Sequence, residues 1–247
     1  MAILFFFIGL ATGSFLQVAY YRYSPEQSLY EYFSAIIVPR SVCRNCNHKL
    51  SVWQLIPVLS WLISNRRCYY CFHKTTNNYA IFELVMAILF LLIYLDKGLN
   101  FKSALLMLLV VVFLLLTLID INYLLLPDFL TQPLMWSGLI MAYFNLSSLN
   151  INDALEGILF GYLMLKLPAI IFFCITSKQG LGGGDIKLIA ALGAWLPYQL
   201  IPLMLIIAST LAILYYSFSK YLFNKNYQLI AFGPFLLISG YFILYFN

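Results

Sequence analysis

Long apolar stretches recur along this chain and constrain its fold more than any other feature. From Tyr79 to the C-terminus the sequence is almost entirely apolar between short breaks, and another apolar stretch covers residues 1–19. A helix that crosses a bilayer needs about 20 such residues. Only 9% of the residues are charged, whereas globular chains carry about 25%. The sequence therefore predicts an all-α polytopic membrane protein in contact with the lipid bilayer.

About eight transmembrane helices are predicted. The first covers residues 1–19, and the others lie at about 79–96, 102–119, 129–146, 154–176, 186–197, 198–218 and 227–246. The 186–197 stretch is short for a bilayer, so we expect it to begin deeper than its apolar residues suggest or to tilt. Gly9 and Gly13 have the four-residue spacing of closely packed membrane helices, with a substrate groove as the alternative interpretation.

Residues 20–78 form the one long polar segment. Its basic residues outnumber its two acids and are Arg22, Arg40, Arg44, Lys49, Arg66, Arg67 and Lys74. By the positive-inside rule this segment is cytoplasmic, so the N-terminus lies outside. No basic run is interleaved with aromatic residues, which argues against a nucleic-acid partner. The predicted organisation is a first transmembrane helix at 1–19, a cytoplasmic domain at 20–78 and a transmembrane domain at 79–247.

Two C-x-x-C pairs lie in this polar segment: Cys43 with Cys46, and Cys68 with Cys71. Their separation is close to that of zinc ribbons. Disulfides are disfavoured in the cytoplasm, and four thiolates close a tetrahedral zinc site with no open position for catalysis. The pattern predicts a structural zinc ion that staples a small zinc-ribbon-like insertion after the first helix. A dithiol redox pair is the alternative.

Two acids stand at the ends of predicted helices. Asp120 closes one apolar stretch, and Asp185 follows three glycines, Gly182, Gly183 and Gly184. A carboxylate deep in a membrane helix costs about 3 kcal/mol, so each acid is a candidate functional residue. In the predicted topology both lie at cytoplasmic helix ends, where their carboxylates can face each other. The alternative for each is a helix-end acid solvated at the interface.

Two facing carboxylates are suited to aspartic protease chemistry. Because ionising both is unfavourable, they share one proton. The ionised carboxylate takes a proton from water, while the protonated one polarises a peptide carbonyl. The glycines before Asp185 would let an extended peptide backbone approach the acid. Two other classes use the same features: an ion- or proton-coupled transporter, and a non-catalytic scaffold stapled by zinc.

Three further charges lie near these features. Asp128 is expected to cap the next helix and to support Asp120. Glu83, early in the second span, is expected to pair with a basic residue or to line the active cleft. Lys187 lies about 200° round a helix from Asp185, so it is expected to face lipid headgroups.

Together these motifs resemble the type IV prepilin peptidase family of bacteria. In chain order the matching blocks are Gly13–Val18 with Tyr21-Arg22, Ile56–Trp61 between the cysteine pairs, Tyr79 with Glu83-Leu84, Asp120 with Leu126-Pro127-Asp128, and Gly182–Lys187 continued by Ala190–Trp195. The sequence departs from the family pattern at Asn122, where many members have an acid. It also departs at Gln54-Leu55, where members often have an acid and an asparagine.

The resemblance implies a GxGD-type aspartic protease of peptidase family A24, with Asp120 and Asp185 as the catalytic pair. Its substrates would be type IV prepilins or pseudopilins of pilus, competence or secretion systems, cut after a glycine at the cytoplasmic face of the bacterial cytoplasmic membrane. The range 79–247 would then be a transmembrane aspartic peptidase domain. Many members also N-methylate the new N-terminus with S-adenosylmethionine, although the sequence carries no recognisable methyl-donor motif.

Overall fold

The structure, a computed structural model, describes residues 1–43, 45–58, 67–74, 78–178, 180–223 and 229–246. Part of the predicted cytoplasmic domain, 59–66, and the first residues of the last predicted span, 227–228, lie outside the described residues. Within the described ranges the protein is helical, with two isolated bridges, Val42 to Lys49 and Arg67 to Lys74, as its extended pairings. The prediction of an all-α protein is confirmed for these ranges.

The described ranges contain nine α-helices. They are α1 (Ala2–Tyr21), α2 (Leu29–Ile37), α3 (Asn78–Lys97), α4 (Phe101–Tyr123), α5 (Asp128–Tyr143), α6 (Ile151–Thr176), α7 (Gly183–Gly193), α8 (Ile201–Phe223) and α9 (Gly233–Phe246). Among the described residues, four segments are long and apolar enough to cross a membrane: Ala2–Tyr21, Phe101–Tyr123, Ile151–Thr176 and Tyr198–Leu222. These helices mark the chain as a membrane protein, but the predicted count of eight spans is not confirmed.

The chain divides into two compact units, 1–111 and 112–247. The first unit contains α1, α2, α3 and the beginning of α4. Its short helix α2 packs back on the end of α1, where the hydroxyl of Tyr32 donates to the carbonyl of Ala19 at 3.0 Å. The polar segment thus starts from a fixed position on α1.

The core of the first unit is the contact between α1 and α3. A Cβ atom on Gly9 would lie 2.6 Å from the Cα of Ala87, and one on Gly13 would lie 2.9 Å from the Cα of Glu83. Side chains do not approach a backbone this closely, so both positions require glycine for this helix contact. The predicted packing role of the two glycines is confirmed.

The core of the second unit is the short helix α7. Ile186 and residues 188–196 are buried, and α5, α6 and α9 pack against this helix. Gly157 of α6 and Gly193 of α7 approach so closely that a Cβ on either would collide with the backbone of the other. A helix covered by other helices does not have to match the bilayer thickness. This explains why α7 has only 11 residues.

Candidate active site

Asp120 is placed at the end of α4 and is only 5% exposed. The helix stops one turn later because Leu124 adopts a left-handed conformation, with φ at 53°. Its N–H donates to the carbonyl of Asp120 at 2.9 Å, which closes the helix end. The chain then leaves the helix axis and leads to Pro127, after which α5 begins.

Asp185 is held in the first turn of α7. Gly182 is the N-cap in an extended conformation, and the helix begins at Gly183. The dipole of a helix stabilises an acid in this turn. A Cβ atom on Gly182 would lie 3.0 Å from Oδ2 of Asp185. A larger residue at that position would therefore press on the carboxylate.

The structure brings Asp120 and Asp185 together within the second unit. The two carboxylates are close enough to interact electrostatically. Leu126 packs beside both of their chain segments, because a Cβ on Gly184 would lie 3.1 Å from the Cβ of Leu126. Two carboxylates confined in this way favour the state in which they hold one proton between them.

A third chain segment, which the sequence did not indicate, reaches Asp120. The N–H of Gly233, the first residue of α9, donates to Oδ2 of Asp120 at 3.0 Å. A Cβ on Gly233 would lie 2.6 Å from that oxygen and 3.3 Å from Cδ2 of Leu126. Glycine alone fits here. The sequence signal for this contact was the Gly233-Pro234 dipeptide in an apolar stretch. Neither residue is charged, so the dipeptide did not indicate a functional site.

The surroundings of Gly183 differ from those of the glycines beside it. A Cβ on Gly182 would meet Asp185, and one on Gly184 would meet Leu126, but one on Gly183 would have no atom within 4 Å. The side-chain position of Gly183, the residue that begins α7, therefore faces open space near Asp185.

Asp128 and Lys187 form a two-point ion pair near the acids. The Nζ atom of Lys187 lies 2.8 Å from each carboxylate oxygen of Asp128. Asp128 is in the first turn of α5, and Lys187 follows Asp185 by two residues on α7. The helical angle from Asp185 predicted that Lys187 faces headgroups, whereas it pairs with Asp128. A helical angle alone does not show that α5 begins beside α7. The prediction that Asp128 caps α5 is wrong, because the N-cap is Pro127 and the Asp128 carboxylate instead binds Lys187 of α7.

Glu83 belongs to the first unit and is only 7% exposed. Its Oε2 atom accepts the N–H of Val58 at 2.7 Å, and the side chain of Ser14 also interacts with this carboxylate. Val58 has a positive φ of 59°, which is rare for a β-branched residue. Glu83 therefore attaches the polar segment to the α1–α3 pair through a strained residue.

The four cysteines of the two C-x-x-C pairs converge in the first unit. Their Sγ atoms all lie within 4.8 Å of one another, with Cys43 to Cys71 at 3.8 Å and Cys46 to Cys68 at 4.0 Å. A tetrahedral zinc with Zn–S bonds of about 2.3 Å requires S–S edges of about 3.8 Å. The cysteine cluster therefore fits a tetrahedral metal ion.

The same turn shapes each cysteine pair. The N–H of Asn47 donates to the carbonyl of Cys43 at 2.9 Å, and that of Phe72 donates to the carbonyl of Cys68 at 3.0 Å. Asn47 and Phe72 have positive φ angles of 54° and 56°. In the first turn, backbone N–H groups directed at the sulfur, that of Cys46 foremost, lower the pKa of Cys43 to about 6. This favours the thiolate of Cys43, the form that binds metal, whereas the pKa of Cys46 in the same turn is raised to about 11.

Comparisons with known proteins match nearly the whole chain. Residues 7–97 match the Bacterial Peptidase A24 N-terminal domain, and residues 107–217 match the Type IV leader peptidase family. The chain is 36% identical to a prepilin leader peptidase/N-methyltransferase of Aeromonas salmonicida (strain A449), covering 98% of this chain and 89% of that protein. It is 33% identical to the protein of the same name from Pseudomonas aeruginosa, covering 96% and 87%. No solved structure matches the chain significantly.

Proposed function

This chain belongs to the type IV leader peptidase family, and we propose that it cleaves the leader of type IV prepilins or pseudopilins with Asp120 and Asp185 as its catalytic pair. The observation that carries the residue assignment is the meeting of these two carboxylates in the second unit. The names of the relatives supply the substrate class. The transporter and scaffold alternatives are not favoured, because relatives aligned over nearly the whole chain are peptidases.

Cleavage follows from one proton shared by two carboxylates. The oxygen of a water molecule attacks the carbonyl carbon of the peptide bond while the ionised carboxylate removes a proton from that water. The protonated carboxyl group gives its proton to the carbonyl oxygen, which produces a tetrahedral diol. The carbon–nitrogen bond then breaks, the first carboxyl group protonates the departing nitrogen, and the second regains its proton from a diol hydroxyl. One water is consumed and the pair returns to its starting state.

The glycines before Asp185 suggest where the substrate backbone lies. We propose that an extended peptide passes the open side of Gly183, where the enzyme presents main-chain groups and no side chain. Its scissile bond, after the glycine of the leader, would lie between Asp120 and Asp185. Gly182 lies against Asp185 and Gly184 lies against Leu126. We propose that these two glycines position those side chains and do not contact the substrate.

The bilayer arrangement is also a proposal. Eight spans would place 20–78 and both acids on the cytoplasmic side of the bacterial cytoplasmic membrane, with 1–19 as the first helix and 79–247 as the peptidase domain. The seven basic residues of 20–78 support this orientation. Protease digestion of right-side-out and inverted membrane vesicles, with the products of 20–78 identified by mass, would test it.

The cysteine cluster would hold a structural zinc ion. Its four thiolates leave no open coordination position, so the ion would stabilise the cytoplasmic domain and take no part in cleavage. A second activity, N-methylation of the new N-terminus with S-adenosylmethionine, is proposed from the relatives' names. Among the described residues we identify no cluster that would hold that methyl donor.

The catalytic assignment is tested with purified protein and a prepilin substrate. Asp120→Ala and Asp185→Ala are each expected to abolish cleavage, while Glu156→Ala, an exposed acid on α6, is expected to cleave at the wild-type rate. Full cleavage by either aspartate variant would remove that residue from the pair. Methylation of a pre-cleaved pilin, assayed separately, would show whether the second activity is independent of the two acids.

A further inference from the structure

Among the described residues, only one of the two acids of the proposed catalytic pair accepts a hydrogen bond. Oδ2 of Asp120 accepts the N–H of Gly233 at 3.0 Å. Among the residues that the structure describes, no group donates to the carboxylate of Asp185. Its close neighbours are the Cα side of Gly182 and the charge of Asp120.

Because of this difference, the two carboxylates do not hold a proton equally readily. A backbone N–H that donates to a carboxylate stabilises its ionised form over its protonated form. A carboxylate that is partly buried without a donor is more easily protonated than one with a donor. The hydrogen bond from Gly233 to Asp120 is held in place, because Gly233 also lies beside Leu126 and begins α9.

We infer that Gly233 assigns the roles within the pair. Asp120, held by the Gly233 amide, is the ionised carboxylate that takes the proton from water. Asp185 is the protonated acid that gives its proton to the peptide carbonyl. Gly233 contacts Asp120 and not the substrate, so it is a positioning residue. The inference rests on the proposed catalytic pair and adds an order to it.

The start of α7 favours an ionised Asp185 through the helix dipole, but this effect is weaker than a direct hydrogen bond to a charged carboxylate. Among the described residues, the charges near the pair do not reverse the order either. The charged neighbour that α7 brings to Asp120 is Asp185, and the next charge on that helix, Lys187, is neutralised by Asp128 of α5. The sequence of α9 contains no Asp, Glu, Lys, Arg or His. Its tyrosines, Tyr241 and Tyr245, follow Gly233 by two helical turns or more.

The inference is tested by the pH dependence of cleavage in Gly233 variants. Gly233→Ala keeps the N–H but sets a Cβ against Asp120, and Gly233→Pro also removes the N–H. The matched control is Gly240→Ala on the same helix, where a Cβ would meet only the flexible ends of Leu192 and Met204. The Gly233 variants are expected to lower kcat about 100-fold with KM unchanged, and the control to stay at the wild-type rate.

The limbs of the pH profile distinguish the two possible orders. The acid limb reports the loss of the first proton from the pair, and the basic limb reports the loss of the second. Removing a donor from the acid that ionises first moves the acid limb up by about one pH unit and leaves the basic limb in place. A shift of the basic limb alone would show that Asp185 ionises first and would overturn the inference.

Infrared spectra of inactive variants test the same order without changing Gly233. The C=O band of a protonated carboxyl group is expected to persist in Asp120→Asn, in which Asp185 remains, and to vanish in Asp185→Asn. The opposite result would reverse the roles. Cleavage by the single alanine variants would instead contradict the catalytic pair itself, so the two failures are distinguishable.

Discussion

The Nζ atom of Lys187 lies 2.8 Å from both carboxylate oxygens of Asp128, which joins the start of α5 to the start of α7. Each partner lies near one acid of the proposed catalytic pair: Lys187 is two residues beyond Asp185, and Asp128 is eight residues beyond Asp120. The ion pair therefore constrains the distance between the two segments that carry the acids.

Breaking this ion pair is expected to impair cleavage more than stability. Both side chains are about half exposed, at 47% and 58%, so the pair contributes at most about 1 kcal/mol to the free energy of unfolding. Asp128→Asn and Lys187→Met should each lower the cleavage rate several-fold. In a double-mutant cycle, the combined variant Asp128→Asn with Lys187→Met should lose less than the sum of the two single losses. Strictly additive single effects would show that the two residues act separately.

The thermal stability of the second unit is expected to depend on the close contact between Gly157 and Gly193. Gly157→Ala and Gly193→Ala each insert a methyl group where the other backbone lies, and overpacking of this kind costs about 1–3 kcal/mol. Thermal unfolding in detergent should show a lower Tm for both. Leu159→Ala, on an exposed position of α6, is the control. A Tm unchanged by either glycine substitution would mean that α6 and α7 separate without cost.

Glu83 is expected to act as an acceptor for Val58, with its charge of secondary importance. Glu83→Leu leaves the Val58 N–H without its acceptor, which costs about 1–3 kcal/mol, whereas Glu83→Gln retains an acceptor oxygen. Proteolysis of the polar segment should therefore be fast in the leucine variant and near the wild-type rate in the glutamine variant. If both variants are equally sensitive, the charge itself holds the segment.

Metal analysis of the purified protein is expected to find one zinc ion per chain. Cys43→Ser and Cys71→Ser should each lose the zinc and expose the cytoplasmic domain to protease, because three thiolates bind the ion less tightly. Cys174→Ser is the matched control, since Cys174 lies alone and exposed on α6. A wild-type protein that is free of metal yet folded and active would rule out the structural ion.

The sequence predicted those features that depend on an unusual residue type or spacing within one short segment. Asp120 and Asp185 stand out because carboxylates are rare in apolar stretches, and the cysteine pairs stand out by their spacing. Gly9 and Gly13 could be interpreted as a packing surface because small residues recur every four positions on one helix face. Each of these signals lies within a short stretch of chain.

The features that could not be predicted depend on contacts between distant segments. Gly233 meets Asp120 across 113 residues of chain, and a glycine in an apolar stretch has many possible reasons to be there. The pairing of Lys187 with Asp128 depends on how two helices begin beside each other. The number of spans also does not follow from the sequence, because an apolar stretch such as 186–197 can be buried by other helices as well as cross the bilayer.

Gly233 reaches Asp120 from 113 residues further along the chain, so the residue that donates to this acid is synthesised after it. Both aspartates are made and inserted well before α9, which supplies the amide for Asp120 and covers one side of α7. A nascent chain therefore contains both acids before it contains the group that orders them. In the proposed mechanism the pair is therefore incomplete until α9 has been made and has packed against α7.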